Sequence, residues 1–285
     1  MSTFTPDDLI SDNLELVSLP EIVLRINEMV NDPNCSAADI AETISQDAAL
    51  SVRLLKVVNS PFYNFPSKVD TISMAITIVG TRQLRDLVLA TAVVNKFSAI
   101  PEELVNTHIF WHHNLATAAA ARVIANRLRI TNTERFFVAG LLHDIGKLVM
   151  YLTQPDLSRQ VLQLLHKPSN DISKLEISAF GFDHATLGAA LLRYWKLPES
   201  LVEPTAFHHA PTQAKHHIKE TAIIHLANAV ANTIEPAISA DDDVPIDLGI
   251  WDILGIEDKD LDEIINDTHA ALQHALQVIY YDQAA

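Results

Sequence analysis

The chain is predicted to be all-α, and three observations carry that prediction. Only 7 glycines occur among 285 residues, alternating β-branched runs are scarce, and apolar side chains recur at three- and four-residue spacing. At 48% apolar, the chain can build a core as one large domain or two modest ones. The organisation expected is an N-terminal helical part over residues 1–100 packed on a histidine-rich helical bundle over 101–235. An acidic loop and a last helix follow over 236–285.

Each helix has a local reason. Ser18-Leu19-Pro20-Glu21 supplies a capping hydroxyl, a first-turn proline and a glutamate three residues on, and Ile22, Ile26, Met29 and Val30 then recur until Asp32-Pro33. Ser36 and Asp39 open a second helix with Ile40 and Ile44 on one face. Asp47 opens a third, striped by Leu50, Leu54, Leu55 and Val58 and ended before Pro61, because a residue preceding proline is pushed out of helical geometry. The aromatic run Phe62-Tyr63-Asn64-Phe65-Pro66 is expected to plug the core where the chain turns back, more than to offer a ligand platform. Asp70 to Val79 forms a short helix with Gly80 as a left-handed cap, and Thr81 begins another to about Phe97.

A long helix starts at Phe110-Trp111-His112-His113-Asn114. Thr131 to Glu134 restarts the chain into a helix with His143-Asp144 at its centre, where Gly146 marks close approach of another element. Past Pro155 an amphipathic helix (Leu157, Val161, Leu164, Leu165) leads to Lys167-Pro168. Ser173 to Glu176 has the capping-box pattern. Asp183 caps a helix that leaves His184 in the first turn with its ring free. Pro198 opens a helix that ends at His208-His209-Ala210-Pro211, and Glu220 to Asn232 carries His225 and Asn228. After the acidic loop Asp241-Asp242-Asp243-Val244-Pro245, Ile250 to Gly255 makes an apolar turn. The last helix, Asp260 to about Tyr281, offers an apolar face for its own core or for a homodimer.

His113, His143-Asp144, His184 and His208-His209 thus lie on or at the ends of different helices. A carboxylate inside the apolar run Gly140–Lys147 needs compensation, and a divalent cation supplies it. Imidazole and carboxylate suit zinc, iron or manganese. Five imidazoles and a carboxylate exceed the needs of one ion, so one or two divalent ions are expected, two of them sharing Asp144. Plainer roles stand beside this: a solvated His143-Asp144 face, a C-terminal cap for His208-His209, a core place for His225, exposure for His112, His216 and His217, and an exposed helix position for Lys147.

The formal charge of −16 argues against nucleic-acid and anionic-membrane partners, which need basic patches. A single cysteine, Cys35, rules out an intrachain disulfide and fits a reducing compartment. With no basic leader and no uninterrupted apolar run of roughly 18 residues, a cytoplasmic protein is expected.

Ile44-Ser45-Gln46-Asp47-Ala48-Ala49-Leu50, Leu54 to Ser60, and Ile76 to Leu87 with Leu84-Arg85-Asp86-Leu87 resemble the HDOD family, and the likeness runs from about Leu19 to Ala231. The histidine pattern is similar to the HD superfamily of metal-dependent phosphohydrolases, especially to dinuclear HD-GYP proteins. That resemblance implies an HD-domain-like bundle with metal positions at His113, His143, Asp144, His184, His208 and His209. It makes Asp144 and Lys147 the catalytic pair, Lys147 beside a substrate phosphate. Two departures count against hydrolysis. Asn228 stands where the superfamily closes its site with an aspartate, and Ala185-Thr186-Leu187-Gly188 replaces the GYP signature. The resemblance implies a signalling or regulatory protein with a metal site, partnered by a phosphate-containing small molecule or a signalling protein. The alternative is an active phosphohydrolase on a nucleotide or another phosphate ester.

Overall fold

Where a short polar side chain precedes an apolar stripe, the backbone turns helical. The Ser36 hydroxyl accepts the Asp39 N–H while Asp39 accepts the Ser36 N–H, and Asp47 and Asp183 accept the N–H of Leu50 and Thr186. The computed structural model describes residues 5–60, 63, 65, 67–97, 104–165, 171–235 and 245–279, with no strand among them. The N-terminal elements are α1 (Pro6–Ser11), α2 (Leu14–Val17), α3 (Glu21–Asn31), α4 (Ala37–Ser45), α5 (Ala48–Val58), α6 (Ile72–Val79) and α7 (Thr81–Lys96). Then come α8 (Thr107–Arg127), α9 (Glu134–Leu142), α10 (Ile145–Thr153), α11 (Pro155–Leu165) and α12 (Ile172–Phe180). The chain continues through α13 (His184–Tyr194), α14 (Glu199–Phe207), α15 (Ile218–Ile234), α16 (Gly249–Leu254) and α17 (Leu261–Ile279).

Helix α8 is the axis of the fold, packed on α9, α15 and α17. Ala116, Ala118, Ala119, Ala120 and Ala121 are all buried along it, and such small side chains let three neighbours close in. Helix α13 packs on α10 and α14, and α14 on α15. The N-terminal helices reach the bundle through α7 on α9 and α1 on α13. Trp195, fully buried, donates its indole N–H to the Val17 carbonyl at 2.9 Å and ties α2 to the end of α13. Glu134–Thr153 is long and apolar enough by composition to cross a membrane, but 89% of its apolar window is buried inside the bundle.

Several expectations change. Two helices precede Leu19, the first set by a Thr5–Asp8 capping box with Pro6 in the first turn. Ser18 does not open α3 but closes α2, its backbone N–H on the Leu14 carbonyl; Pro20 is the residue before α3. Gly80 does end α6 at positive φ (98°), but its ψ of 153° is an extended geometry open to glycine and not a left-handed helical cap. Helix α8 starts earlier than Phe110, capped by Asn106, which accepts the N–H of His108 and Ile109. The helix expected to run through His143-Asp144 is broken there. Tyr63 and Phe65 stack with ring centroids 5.7 Å apart and pack on the core. The rest of that aromatic run, Lys167-Pro168, Asp241 to Val244 and Tyr281 lie outside the described residues.

Candidate metal centre

The break at His143-Asp144 creates the centre. Successive side chains of an unbroken helix diverge by about 100°. Here α9 stops at Leu142, and Asp144 takes φ −100° and ψ 9° before α10 begins. His143 Nε2 comes to 3.5 Å from Asp144 Oδ2, so both side chains face one interior point. The apolar run around them gave no sign of a break. Gly146, expected to mark close approach, does so: a Cβ there would lie 2.0 Å from the His184 carbonyl oxygen and 2.7 Å from the Gly188 nitrogen. That backbone contact seats the first turn of α13 against Asp144.

The rings arrive from helix ends and middles, and three of them are oriented through Nδ1 onto a backbone carbonyl. His143 Nδ1 donates to the Gly140 carbonyl at 2.7 Å, His208 Nδ1 to Thr205 at 2.8 Å, and His113 Nδ1 to Glu235 at 3.2 Å. A carbonyl only accepts, so each Nδ1 carries a proton, which in the neutral ring leaves the lone pair on Nε2. His184 is not free, as expected from sequence, but held twice by Glu176, whose Oε2 accepts the backbone N–H at 2.8 Å and Nδ1–H at 2.6 Å. Glu176 is therefore no capping-box partner of Ser173; Asp171 caps α12.

Ring nitrogens converge on Asp144. His184 Nε2 lies 3.2 Å and His208 Nε2 3.6 Å from Oδ1, and His209 Nε2 is 2.9 Å from His184 Nε2. Two groups result, both with the geometry to hold an ion: Asp144, His184, His208 and His209, and His113, His143 and Asp144. His143, His184 and His208 are fully buried, Asp144 is 3% exposed, and His209 is half-buried. Asp144 Oδ1 and His143 Nε2, both buried, have no hydrogen-bond partner. A carboxylate oxygen ringed by imidazole nitrogens fits a divalent cation.

The electrostatics agree. Burial pushes the His143 and His209 rings well below their ordinary value, so both are neutral, as ligands must be. Burial opposes charge on His184 too, but Glu176 and Asp144 outweigh it and raise that ring to about 10. Burial alone would raise Asp144; His143 and Lys147 instead hold it well below the usual carboxylate range.

Lys147 is 4% exposed, and its ammonium donates to Asp144 Oδ2 at 2.8 Å. Asn228 is buried on α15 with an unpartnered side-chain oxygen. His225 is a satisfied core residue: Nδ1 donates to the His208 carbonyl at 2.6 Å, and Nε2 accepts the Asp247 N–H at 2.9 Å. His112 is half-buried near Glu235 at 3.9 Å and stacked on His108. His216 is exposed. The sequence reading missed Glu176 and Glu203. Glu203, 6% exposed, accepts the backbone N–H of Lys215 at 2.7 Å, of His216 at 3.0 Å and of His217 at 2.5 Å. A glutamate on a mixed helix carries no mark of partners eight to fourteen residues away.

Comparison with known proteins places this architecture. The HDOD domain model matches residues 16–211. A structure from Shewanella amazonensis SB2B, named provisionally as a phosphohydrolase, superposes with a TM-score of 0.75 at 26% identity over 95% of this chain and 97% of that one. An HDOD domain protein of unknown function from Geobacter sulfurreducens gives 0.71 at 26% identity over 95% and 96%. An uncharacterized protein of Treponema pallidum (strain Nichols) is 26% identical over 76% of this chain, which spans 43% of that protein's length.

Proposed function

The chain belongs to the HDOD domain family, and from that premise we propose that it is a signalling or regulatory protein built round an HD-type metal site with little or no hydrolytic activity. One observation carries this reading: the Oδ1-side group already offers four protein ligands, Asp144, His184, His208 and His209. Four ligands close a tetrahedral site, whereas a catalytic one keeps a position for water or substrate. Hydrolysis asks the ion to polarise a phosphate and to lower the pKa of a bound water, and both need that open position. The chain's own residues then hold the ion. Glu176 fixes the His184 ring, and the Gly140 and Thr205 carbonyls fix His143 and His208. Output runs to a signalling protein, or is set by a phosphate-containing small molecule, in the cytoplasm, with no nucleic-acid or membrane partner.

The test is turnover of bis(p-nitrophenyl) phosphate by zinc- and manganese-loaded protein. The expected rate equals that of Asp144→Ala. A wild-type rate that Asp144→Ala abolishes would sink this reading and install the second, an active phosphohydrolase using Asp144 and Lys147. What favours that second reading is Asp144 standing between two ligand groups, an arrangement suited to a pair of ions.

A further inference from the structure

The two groups that satisfy His225 belong to different parts of the chain. On one side its Nδ1 donates to the carbonyl of His208, the residue that closes α14. The last carbonyls of a helix have no partner within it, and a buried ring from α15 caps this one. The His208 carbonyl and the His209 N–H share one peptide plane. Fixing that oxygen therefore fixes the plane from which both ligand residues hang. On the other side, His225 Nε2 accepts the Asp247 N–H at 2.9 Å. A carbonyl at one ring nitrogen and an N–H at the other select one tautomer, and each bond holds the ring in place for the other.

Asp247 is anchored a second time, on the turn that follows the ligand pair. Its Oδ2 accepts the Thr212 hydroxyl at 3.1 Å and its Oδ1 the Gly249 N–H at 2.9 Å. Thr212 lies in the 3-10 turn Pro211–Gln213, just past His209. A Cβ on Gly249 would come within 3.0 Å of the Thr212 Cγ2, so the two stretches touch, and Ile250 seats α16 in the core. Asp247 is half-buried and Leu248 is 78% exposed, so this chain of contacts starts at the surface and ends at the ligands.

We infer, building on the metal reading above, that His225 is a positioning residue that couples ion binding at His208 and His209 to the docking of residues 245–250. An ion steadies that segment, and the docked segment steadies the two ligands. Such coupling is reciprocal, each side gaining the same factor from the other. It gives the buried centre a face at the surface that a partner can read.

Hydrogen exchange of the full chain with and without zinc tests this, with isothermal titration for affinity and circular dichroism for native helicity. In wild type, zinc is expected to slow exchange at residues 247–250 about 5-fold or more beyond its effect on α3. His225→Asn keeps a donor for the His208 carbonyl and offers no acceptor at the Nε2 position. It is expected to bind zinc and to lose the extra protection. His225→Phe lacks both contacts and is expected to bind zinc about 10- to 100-fold more weakly than His225→Asn. Three results would each overturn the inference and leave the metal reading standing. They are zinc bound by wild type without extra protection at 247–250, extra protection that survives in His225→Asn, and a folded His225→Phe that binds zinc as tightly as His225→Asn. Wild type that binds no zinc, manganese or iron would overturn the metal reading itself, and this inference with it.

Discussion

Asp144 and Glu203 are both buried carboxylates in the same bundle, and their surroundings differ in kind. Glu203 is surrounded by donors that the backbone cannot withdraw, the consecutive N–H groups of Lys215, His216 and His217. Those bonds hold it below the ordinary glutamate range although burial pushes the other way. Asp144 has the Lys147 ammonium on Oδ2, while Oδ1 faces the Nε2 atoms of His184 and His208 at 3.2 and 3.6 Å. A carboxylate satisfied by protein donors fastens structure, and one satisfied on a single side awaits a ligand. The distinction rests on partners, since both residues are almost equally buried.

The strongest way to break that comparison is to remove each carboxylate with and without zinc. Asp144→Ala should lose the zinc-dependent part of stability, about 4 kcal/mol at a thousandfold excess of ion over Kd. In chelator, that contribution should vanish from wild type as well. Thermal melts in zinc and in EDTA read both values, and an equal wild-type Tm in the two would remove Asp144 from the ligand class. Glu203→Ala should cost about 3 kcal/mol in urea titrations, the same with or without zinc, because three part-buried N–H groups lose a charged acceptor. The sign of its pH dependence follows. A carboxylate depressed in the fold contributes stability above its unfolded value near 4.5, and that contribution is lost as pH falls through the lower folded value. Glu203→Gln should therefore flatten the acid limb of the stability curve.

Smaller effects sharpen the contrast. Glu176→Gln should weaken zinc affinity by about 10- to 100-fold while leaving the helices intact, since it acts on the orientation and basicity of His184. Titration calorimetry measures it, and unchanged affinity would reduce Glu176 to a packing residue. His216→Ala should shift stability by no more than about 0.5 kcal/mol, because Glu203 uses its backbone N–H and the ring is exposed. A large loss there would mean that the Glu203 anchor depends on side chains.

What the sequence disclosed and what it withheld divide along the same physical line. Ser36, Asp47 and Asp183 were readable as caps because their partners lie three residues on. Gly146 announced a close neighbour because glycine inside an apolar run has few other uses. His113, His143, Asp144, His184, His208 and His209 stood out as polar groups at helix ends and in apolar stretches, and the fold brings them together. Thr5-Pro6-Asp7-Asp8 carries the local signature of α1, a hydroxyl and a carboxylate three residues apart with a proline between. The helix break at Asp144 had no local signal, and Glu203 and Glu176 serve partners that only the tertiary fold supplies. Ser18 and Ser173 show the converse: a capping pattern in sequence that does not open a helix in the fold.

The contact at Gly146 has a consequence for which ions the centre accepts. Asp144 and His184 hang from backbones that touch, and the rings of His184 and His208 are pinned through Nδ1. The bite between carboxylate and imidazoles is therefore fixed by main chain, with little slack left to side-chain torsions. Such a rigid chelate works as a gauge of ionic radius. If an ion binds there, a fixed bite of that kind suits a small one content with nitrogen-rich tetrahedral coordination better than calcium, which wants six to eight oxygens and longer bonds.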